Sequence, residues 1–242
     1  MRRFFVRPED VGERQLRLRG DEAQHLTRVL RLRPGAQVVV FNGHGHEYVA
    51  EVERLEADGV VCRILCQTEA PPPEAVFITL GQGLPKAEKF AWVIQKTTEL
   101  GVSEIVPLLT ERVISQLSEG HIAAKLGRWE KLAREACKQS GRVTVPHLRP
   151  PTPLETFFAS CQSAGLKLVL WEGEPTRPLR DVLAASEPVA SVAVVVGPEG
   201  GLTPQEVACG AAYGFLPVGL GKRILRTETA GLLAVALLQY RF

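Results

Sequence analysis

Val192-Ala193-Val194-Val195-Val196-Gly197-Pro198-Glu199-Gly200-Gly201-Leu202-Thr203-Pro204-Gln205-Glu206 reads as a buried strand, a glycine loop and the first turn of a helix. The five leading residues are continuously apolar, as a strand covered on both faces by helices must be. Thr203 stands at an N-cap position, Pro204 at the first helical position and Glu206 three residues after the cap, so the spacing predicts a helix start there. Glycine between strand and helix lets main-chain amides and carbonyls approach a ligand that a side chain would hold off. In α/β sheets ligands bind where loops leave the carboxyl ends of strands. The loop is neither GxGxxG nor a P-loop ending in GK[ST], which argues against NAD and against ATP.

A second stretch of the same kind follows. Leu216-Pro217-Val218 reads as a strand. It runs into Leu220-Gly221-Lys222-Arg223-Ile224-Leu225-Arg226-Thr227-Glu228-Thr229 and then a final helix near Leu232 to Tyr240. Thr227 is expected to cap that helix, with Glu228 near its positive end. Neither role accounts for Lys222, Arg223 and Arg226 within five positions of one another, which suit a polyanion or a reacting group. Two glycine loops after two strands imply one small-molecule pocket. Gly81-Gln82-Gly83-Leu84-Pro85-Lys86 is a further glycine loop after a strand and a candidate for substrate contact. Gln95, Lys96 and Glu99 share a polar, solvated helix face closed by an αL cap at Gly101. His44 and His46 stand in a hairpin turn without a third ligand in view, so no metal site is expected.

Thr68-Glu69-Ala70-Pro71-Pro72-Pro73-Glu74 interrupts both ladder and helix and marks a domain boundary. Before it, Gln37–Phe41, residues 47–53 and 59–67 read as strands, with the turn signal Asn42-Gly43 between the first two. One helix opens at Asp21, capped near Gln24, and is expected to bury Leu26, Val29 and Leu30. A small β-barrel over residues 1–70 is the expectation. Over residues 75–242 strand and helix patterns alternate: 76–80, 87–100, 105–108, 122–139, 166–171, 192–196 and 232–240. Alternation at this spacing predicts a parallel sheet with helices on both faces.

The chain of 242 residues carries 45% hydrophobic residues, enough for a core without disulfide or metal support, and a formal charge of only +2. That charge is uneven. Residues 1–33 hold nine arginines against five acids, and the planar guanidinium suits phosphate and base contacts better than lysine does. The rival reading is an arginine-rich solvated surface. The five cysteines, Cys62, Cys66, Cys137, Cys161 and Cys209, are odd in number and include no CxxC pair, which excludes a disulfide framework and a zinc knuckle and fits a reducing cytoplasm. Cys62 and Cys66, four apart on one strand, are expected on the same buried or partly buried face. No apolar window is long enough for a signal peptide or a membrane span.

Gly197–Leu202 and the run from Leu220 to Ala230, supported by His25-Leu26-Thr27-Arg28-Val29-Leu30-Arg31 and Gln95 to Val102, resemble the RsmE group of the SPOUT, or trefoil-knot, RNA methyltransferases. The resemblance covers nearly the whole chain. It implies an α/β fold: a C-terminal knotted, Rossmann-like parallel-sheet domain with a small N-terminal PUA-like β-barrel that helps grip RNA. The implied activity is S-adenosylmethionine-dependent methylation of uridine N3 in small-subunit (16S) ribosomal RNA, by a homodimer acting on that RNA or on the 30S particle. Carried over by position, cofactor contacts are expected from Leu170, Trp171, Gly197, Pro198, Glu199, Gly200, Gly201, Leu202, Leu220, Gly221, Ile224, Leu225, Arg226 and Thr227. RNA contacts are expected from Arg2, Arg3, Arg7, Arg28, Arg31, Lys222 and Arg223. Arg226 is the candidate for stabilising an anionic uracil and Glu228 the candidate for removing its proton. Two alternatives stay open: a non-catalytic RNA-binding assembly factor, and a ribose 2′-O-methyltransferase of the same fold. The final helix, apolar all round over 232–238, is expected to be buried on every side, partly in a dimer.

Overall fold

In the computed structural model, which describes residues 1–69, 72, 74–86, 88–112, 119–173 and 176–242, the chain divides into two units. One comprises Met1–Pro73 and Arg134–Val145, the other Glu74–Ala133 and Pro146–Phe242. The first boundary falls in the proline-rich stretch, of which Ala70, Pro71 and Pro73 lie outside the described residues.

Residues 134–145 depart from the sequence division into 1–70 and 75–242, and the reason is polar. Arg3 donates to the carbonyls of Cys137 and Arg142, both at 2.9 Å, pairs with Glu47 at 2.8 Å and lies 4.5 Å over the Phe41 ring. Lys138 pairs with Glu22 at 3.0 Å. Arg3 is therefore an internal strut, not the RNA contact expected of it, because four groups already claim its guanidinium.

The first unit contains β1 (Arg2–Phe5), β2 (Gln15–Leu18), α1 (Gly20–Gln24), a π-helical turn (His25–Val29), β3 (Gln37–Phe41), β4 (Glu47–Glu56) and β5 (Gly59–Gln67). The sheet order is β1-β3-β4-β5-β2, with β1 and β3 parallel and the other pairs antiparallel. Period-2 alternation puts Phe4, Leu16, Leu18, Val38, Val40, Ala50, Val52 and Cys62 into one core with Leu26.

Two expectations fail here for local geometric reasons. Between Cys66 and Ile64 β5 advances two residues while β4 advances one, from Val49 to Ala50. This bulge reverses the inward alternation, so Cys62 is buried, with its thiol pushed up to about 12 by that burial, while Cys66 is exposed. Likewise α1 begins at Gly20 without a side-chain cap, and the π-turn that follows rotates Val29 outward to 66% exposure. His44 and His46 do stand in the turn: the amides of both donate to Asn42 Oδ1, and His46 Nδ1 meets Gln67.

The second unit contains β6 (Phe77–Gly83), α2 (Glu88–Glu99), β7 (Glu104–Leu109), α3 (Glu119–Ser140, whose last turns belong to the first unit), β8 (His147–Leu148), β9 (Thr152–Pro153) and α4 (Leu154–Ser160). It continues with β10 (Leu166–Leu170), β11 (Arg177–Pro178), α5 (Leu179–Ala185), β12 (Ser191–Val196), α6 (Pro204–Ala212), β13 (Leu216–Gly219) and α7 (Thr227–Arg241). Every pairing is parallel, in the order β11-β13-β10-β12-β6-β7-β8, with β9 beside β7.

On one face Phe157 and Phe158 of α4 and Val207 of α6 pack with Val106, Leu108, Val169, Ala193, Val195 and Phe215. On the other, α7 packs against α2, β6 and β12. The chain thus leaves β12, reaches β13 beyond β10 by way of α6, and returns across the opposite face as α7, a crossing that the knotted architecture requires.

The short helices α4 and α5, seven residues each after Pro153 and Pro178, escape periodicity. Gly81-Gln82-Gly83 is the end of β6, not a loop. A Cβ on Gly81 would lie 2.8 Å from the Phe157 ring, and one on Gly83 would lie 2.5 Å from the Pro198 nitrogen. Of α7, Ala230, Gly231, Ala234, Val235 and Leu238 are buried, whereas Leu232, Leu233, Ala236 and Leu237 are half-buried and Tyr240 is 93% exposed. Within one chain the helix is covered on one side only.

Arg3→Ala is expected to lower the unfolding free energy by about 3 kcal/mol, because Glu47 and two carbonyls lose their donor. The denaturant midpoint reads this, and a loss no larger than that of a surface ion pair would reduce Arg3 to a bystander.

Candidate functional site

Three neighbouring parallel strands end at one level: Leu170 of β10 is in register with Val196 of β12 and Val218 of β13. The loops that follow therefore open from the same sheet edge. There they enclose a cleft of about 600 Å³. After β10 its wall is Leu170, Trp171, Glu172 and Thr176. After β12 it is Gly197, Pro198, Glu199, Gly201 and Leu202, and after β13 it is the run from Gly219 to Thr227, with Lys89 and Ala230 beside them. The two glycine loops singled out in the sequence line one cavity.

The loop after β12 is a tight turn: Gly201 N–H donates to the Pro198 carbonyl at 2.9 Å, and Gly201 has φ +70°, where any side chain is strained. The helix after it starts as expected. Thr203 Oγ1 accepts from the Glu206 amide, and the Thr203 amide donates to Glu206 Oε2 at 2.9 Å. Gly200 stands back from the cleft, its carbonyl taken by Arg112 at 2.8 Å. Trp171 reaches the wall only because residue 173 is glycine, where a Cβ would fall 2.4 Å from the indole.

The second loop differs from expectation at its end. Arg226, not Thr227, is the N-cap residue of α7, and the helix has no side-chain cap. Thr227 is buried, and its hydroxyl donates instead to the Gly197 carbonyl while accepting from Gln82 Nε2 at 2.8 Å. Gln82 is itself fully buried, with Oε1 unpartnered, and a Cβ on Gly231 would come within 2.7 Å of that oxygen. Glycine inside a helix costs about 1 kcal/mol relative to alanine; here it admits the Gln82 amide. Among the described residues no group accepts from the amides of Leu220 to Arg226, and these residues line the cleft.

Charge is arranged around this frame. Lys89 Nζ lies 3.3 Å from Glu199 Oε1 and 3.6 Å from Glu228 Oε2. Burial raises the Glu199 carboxyl, but the Lys86 amide at 3.0 Å, its own amide and Lys89 outweigh this and hold it below its ordinary value. Glu228 does not line the cleft: its side chain is 14% exposed and Oε2 is buried without a hydrogen bond, turned to Lys89. Lys222, Arg223, Ile224 and Arg226 are exposed along the cleft, Ile224 to 81%. Arg2, Arg7, Arg28 and Arg31 are exposed in the first unit. Sequence reasoning passed over Lys89 and Glu172, and took Gln82 only as part of a glycine loop. The first two sit in polar runs without a distinguishing pattern, and Gln82 hid inside what looked like a loop.

Thr227→Val keeps the shape and removes the hydroxyl joining β6 to the Gly197 loop. It is expected to cost about 1–2 kcal/mol and to speed amide exchange at Gly197–Leu202; unchanged exchange there would show that the hydroxyl holds nothing.

A family profile described as RNA methyltransferase domain matches residues 72–239, and one described as RNA methyltransferase PUA domain matches residues 18–65. Ribosomal RNA small subunit methyltransferase E of Bacillus subtilis (strain 168) is 30% identical over 100% of this chain and 97% of its own. The protein of the same name from Synechocystis is 34% identical over 97% of this chain and 76% of its own. Among solved structures, that of a Legionella pneumophila methyltransferase with bound cofactor SAM has a TM-score of 0.89 at 35% identity, covering 98% of this chain and 96% of that one. Ribosomal RNA small subunit methyltransferase E of Neisseria gonorrhoeae, bound to S-adenosyl methionine, has a TM-score of 0.88 at 34% identity, covering 99% and 97%. With the two profiles covering residues 18–65 and 72–239 and relatives at 30% and 34% identity aligned over 97% or more of this chain, the chain belongs to the RNA methyltransferase domain family, in the ribosomal RNA small subunit methyltransferase E group.

Proposed function

We propose that this chain binds S-adenosylmethionine in the cleft after β10, β12 and β13 and methylates N3 of a uridine in small-subunit ribosomal RNA. The observation that carries the reading is the lining itself: main chain from two glycine loops, with no described acceptor for the amides of Leu220 to Arg226. A purine edge is read by such donors and by neighbouring carbonyls, while Leu170, Leu202 and Ile224 offer apolar contact to its faces. Pro198, Glu199, Gly201, Gly221, Leu225 and Thr227 complete the cradle, and Trp171 closes the β10 side.

The cofactor supplies a sulfonium-activated methyl group. The chain's own task is to make the uracil a nucleophile and hold it. N3 reacts once its proton is gone, and Glu228, in the first turn of α7 beside the cleft-lining Lys89, is the candidate to take it. Lys89, which lines the cleft, pairs with both Glu199 and Glu228. Arg226, exposed at the cleft and paired with no described carboxylate, offsets the charge of the deprotonated ring. Lys222 and Arg223 hold the flanking phosphates.

The protein works as a homodimer in the cytoplasm. The half-buried side of α7, Leu233, Ala236 and Leu237 with exposed Tyr240, and Trp92 of α2 at 41% exposure form an apolar surface suited to a second copy. Among the described residues no helix is long and apolar enough to cross a membrane.

Arg226→Ala is expected to bind the cofactor normally and lose about 10²–10³-fold in kcat. Nucleoside mass spectrometry of small-subunit RNA from a strain lacking the gene, with and without its restoration, checks the product. Loss of N3-methyluridine supports the reading, and loss of a ribose methyl instead ends it. Leu237→Glu is expected to sediment as a monomer at concentrations where the parent is dimeric; a parent that is monomeric throughout refutes the pairing.

A further inference from the structure

We propose that Glu172 sets the ligand specificity of the cleft by accepting hydrogen bonds from a pair of adjacent hydroxyls, the 2′- and 3′-hydroxyls of the cofactor's ribose. The inference rests on the reading of the cleft as an S-adenosylmethionine site. It adds which polar group of that ligand is read by a side chain in place of main chain.

Four oxygen-bearing side chains line the cleft: Glu172, Thr176, Glu199 and Thr227. Two of them are already spoken for. Thr227 is held between the Gly197 carbonyl and Gln82, and Glu199 Oε1 accepts from the Lys86 amide at 3.0 Å with Lys89 at 3.3 Å. The side chains of Glu172 and Thr176 make no hydrogen bond or ion pair among the described residues. Both come from the segment after β10, and each rests on a different glycine loop. A Cβ on Gly201 would lie 3.0 Å from Glu172 Oε1, and one on Gly219 would lie 3.4 Å from Thr176 Oγ1. Glycine at 201 therefore lets the carboxylate close on the loop backbone, where a side chain would crowd it. A carboxylate placed in the same cleft as Glu199 meets like charge, and here it gains no ion pair from the fold in return. Its position points to a ligand that supplies the missing donors.

The chemistry of that ligand follows from what stands on either side. Leu170 and Leu202 give the apolar contact assigned to the purine. Glu172 follows Leu170 by two residues, and its Oε1 lies against Gly201, the neighbour of Leu202. In the cofactor the ribose is bonded directly to the purine, whereas the α-ammonium stands at the far end of the molecule. The ribose is thus the donor-bearing group nearest to those two leucines. An ionised carboxylate is acceptor-only, and its two oxygens can each take one of two adjacent hydroxyls. Acidic side chains read ribose hydroxyls in this way beyond the strand ends of other α/β sheets. The cations of the wall, Lys222, Arg223 and Arg226, belong to the run after β13 and offer donors alone, so they have no part in reading a hydroxyl proton.

Calorimetric titration of the full chain tests this without turnover, using S-adenosylmethionine, its 2′-deoxy and 3′-deoxy analogues, and the analogue that lacks the α-amino group. The parent is expected to bind each deoxy analogue about 10–100-fold more weakly than the intact cofactor, the range for a hydrogen bond to a charged group. Glu172→Ala is expected to lose at least that much affinity for the intact cofactor and to bind all three ribose forms alike. It should melt with the parent, because the exposed side chain has no partner in the fold. Glu172→Gln keeps one neutral acceptor oxygen and should fall between the two. The proposal is overturned if Glu172→Ala keeps the parent's preference for the intact ribose, or if its loss of affinity vanishes only with the analogue lacking the amino group. A parent that binds all four ligands equally ends this inference and leaves the cofactor reading standing. A parent that binds none of them ends both.

Discussion

The hydroxyl of Thr227 joins three segments that the sheet alone would leave independent. It accepts from Gln82 at the end of β6 and donates to the Gly197 carbonyl at the end of β12, and it opens α7. Both glycine loops are thereby fixed to the same buried point. Their main-chain groups can be left unpaired around the cleft because the strands, and not the loops, carry the position. The glycines around this point serve approach more than freedom: Gly83 lets the Pro198 backbone close on β6, and Gly231 admits the Gln82 amide into the wall of α7.

A cleft lined by main chain has little charge of its own, so its electrostatics come from a few side chains on separate elements. Lys89 of α2 balances one carboxylate from the loop after β12 and one from the first turn of α7, and Lys222, Arg223 and Arg226 stand exposed at the rim. In the first unit the same residue type does opposite jobs. Arg3 is consumed by internal carbonyls and Glu47, and Arg17 and Arg19 by surface acids, while Arg28 and Arg31 remain unclaimed. Composition alone does not separate these groups, because an arginine's role depends on what its five donors meet.

Much of the second unit was legible because buried parallel strands are written as continuous apolar runs. Val192–Val196 and Leu166–Leu170 appear at their expected places, as do the Thr203 capping box and the Gly101 cap. Elements shorter than two helical turns, α4 and α5, have too few residues for a period to show. Alternation misled where the backbone added a residue: the bulge in β5 turned Cys66 outward, and the π-turn did the same to Val29. A sequence period assumes a constant advance per residue, and both sites break that assumption without changing composition.

By itself the sequence determined the strand–loop–helix grammar, the two glycine loops and their basic residues, since these depend on local sterics and on neighbours within a few positions. Only the tertiary structure decided that Thr227 serves as a joint and not a cap, that Gln82 and Lys89 belong at the site, and that residues 134–145 join the first unit. Each depends on a partner tens of residues away along the chain, and hydrogen-bonding groups accept whichever partner the fold delivers. No local pattern records that choice.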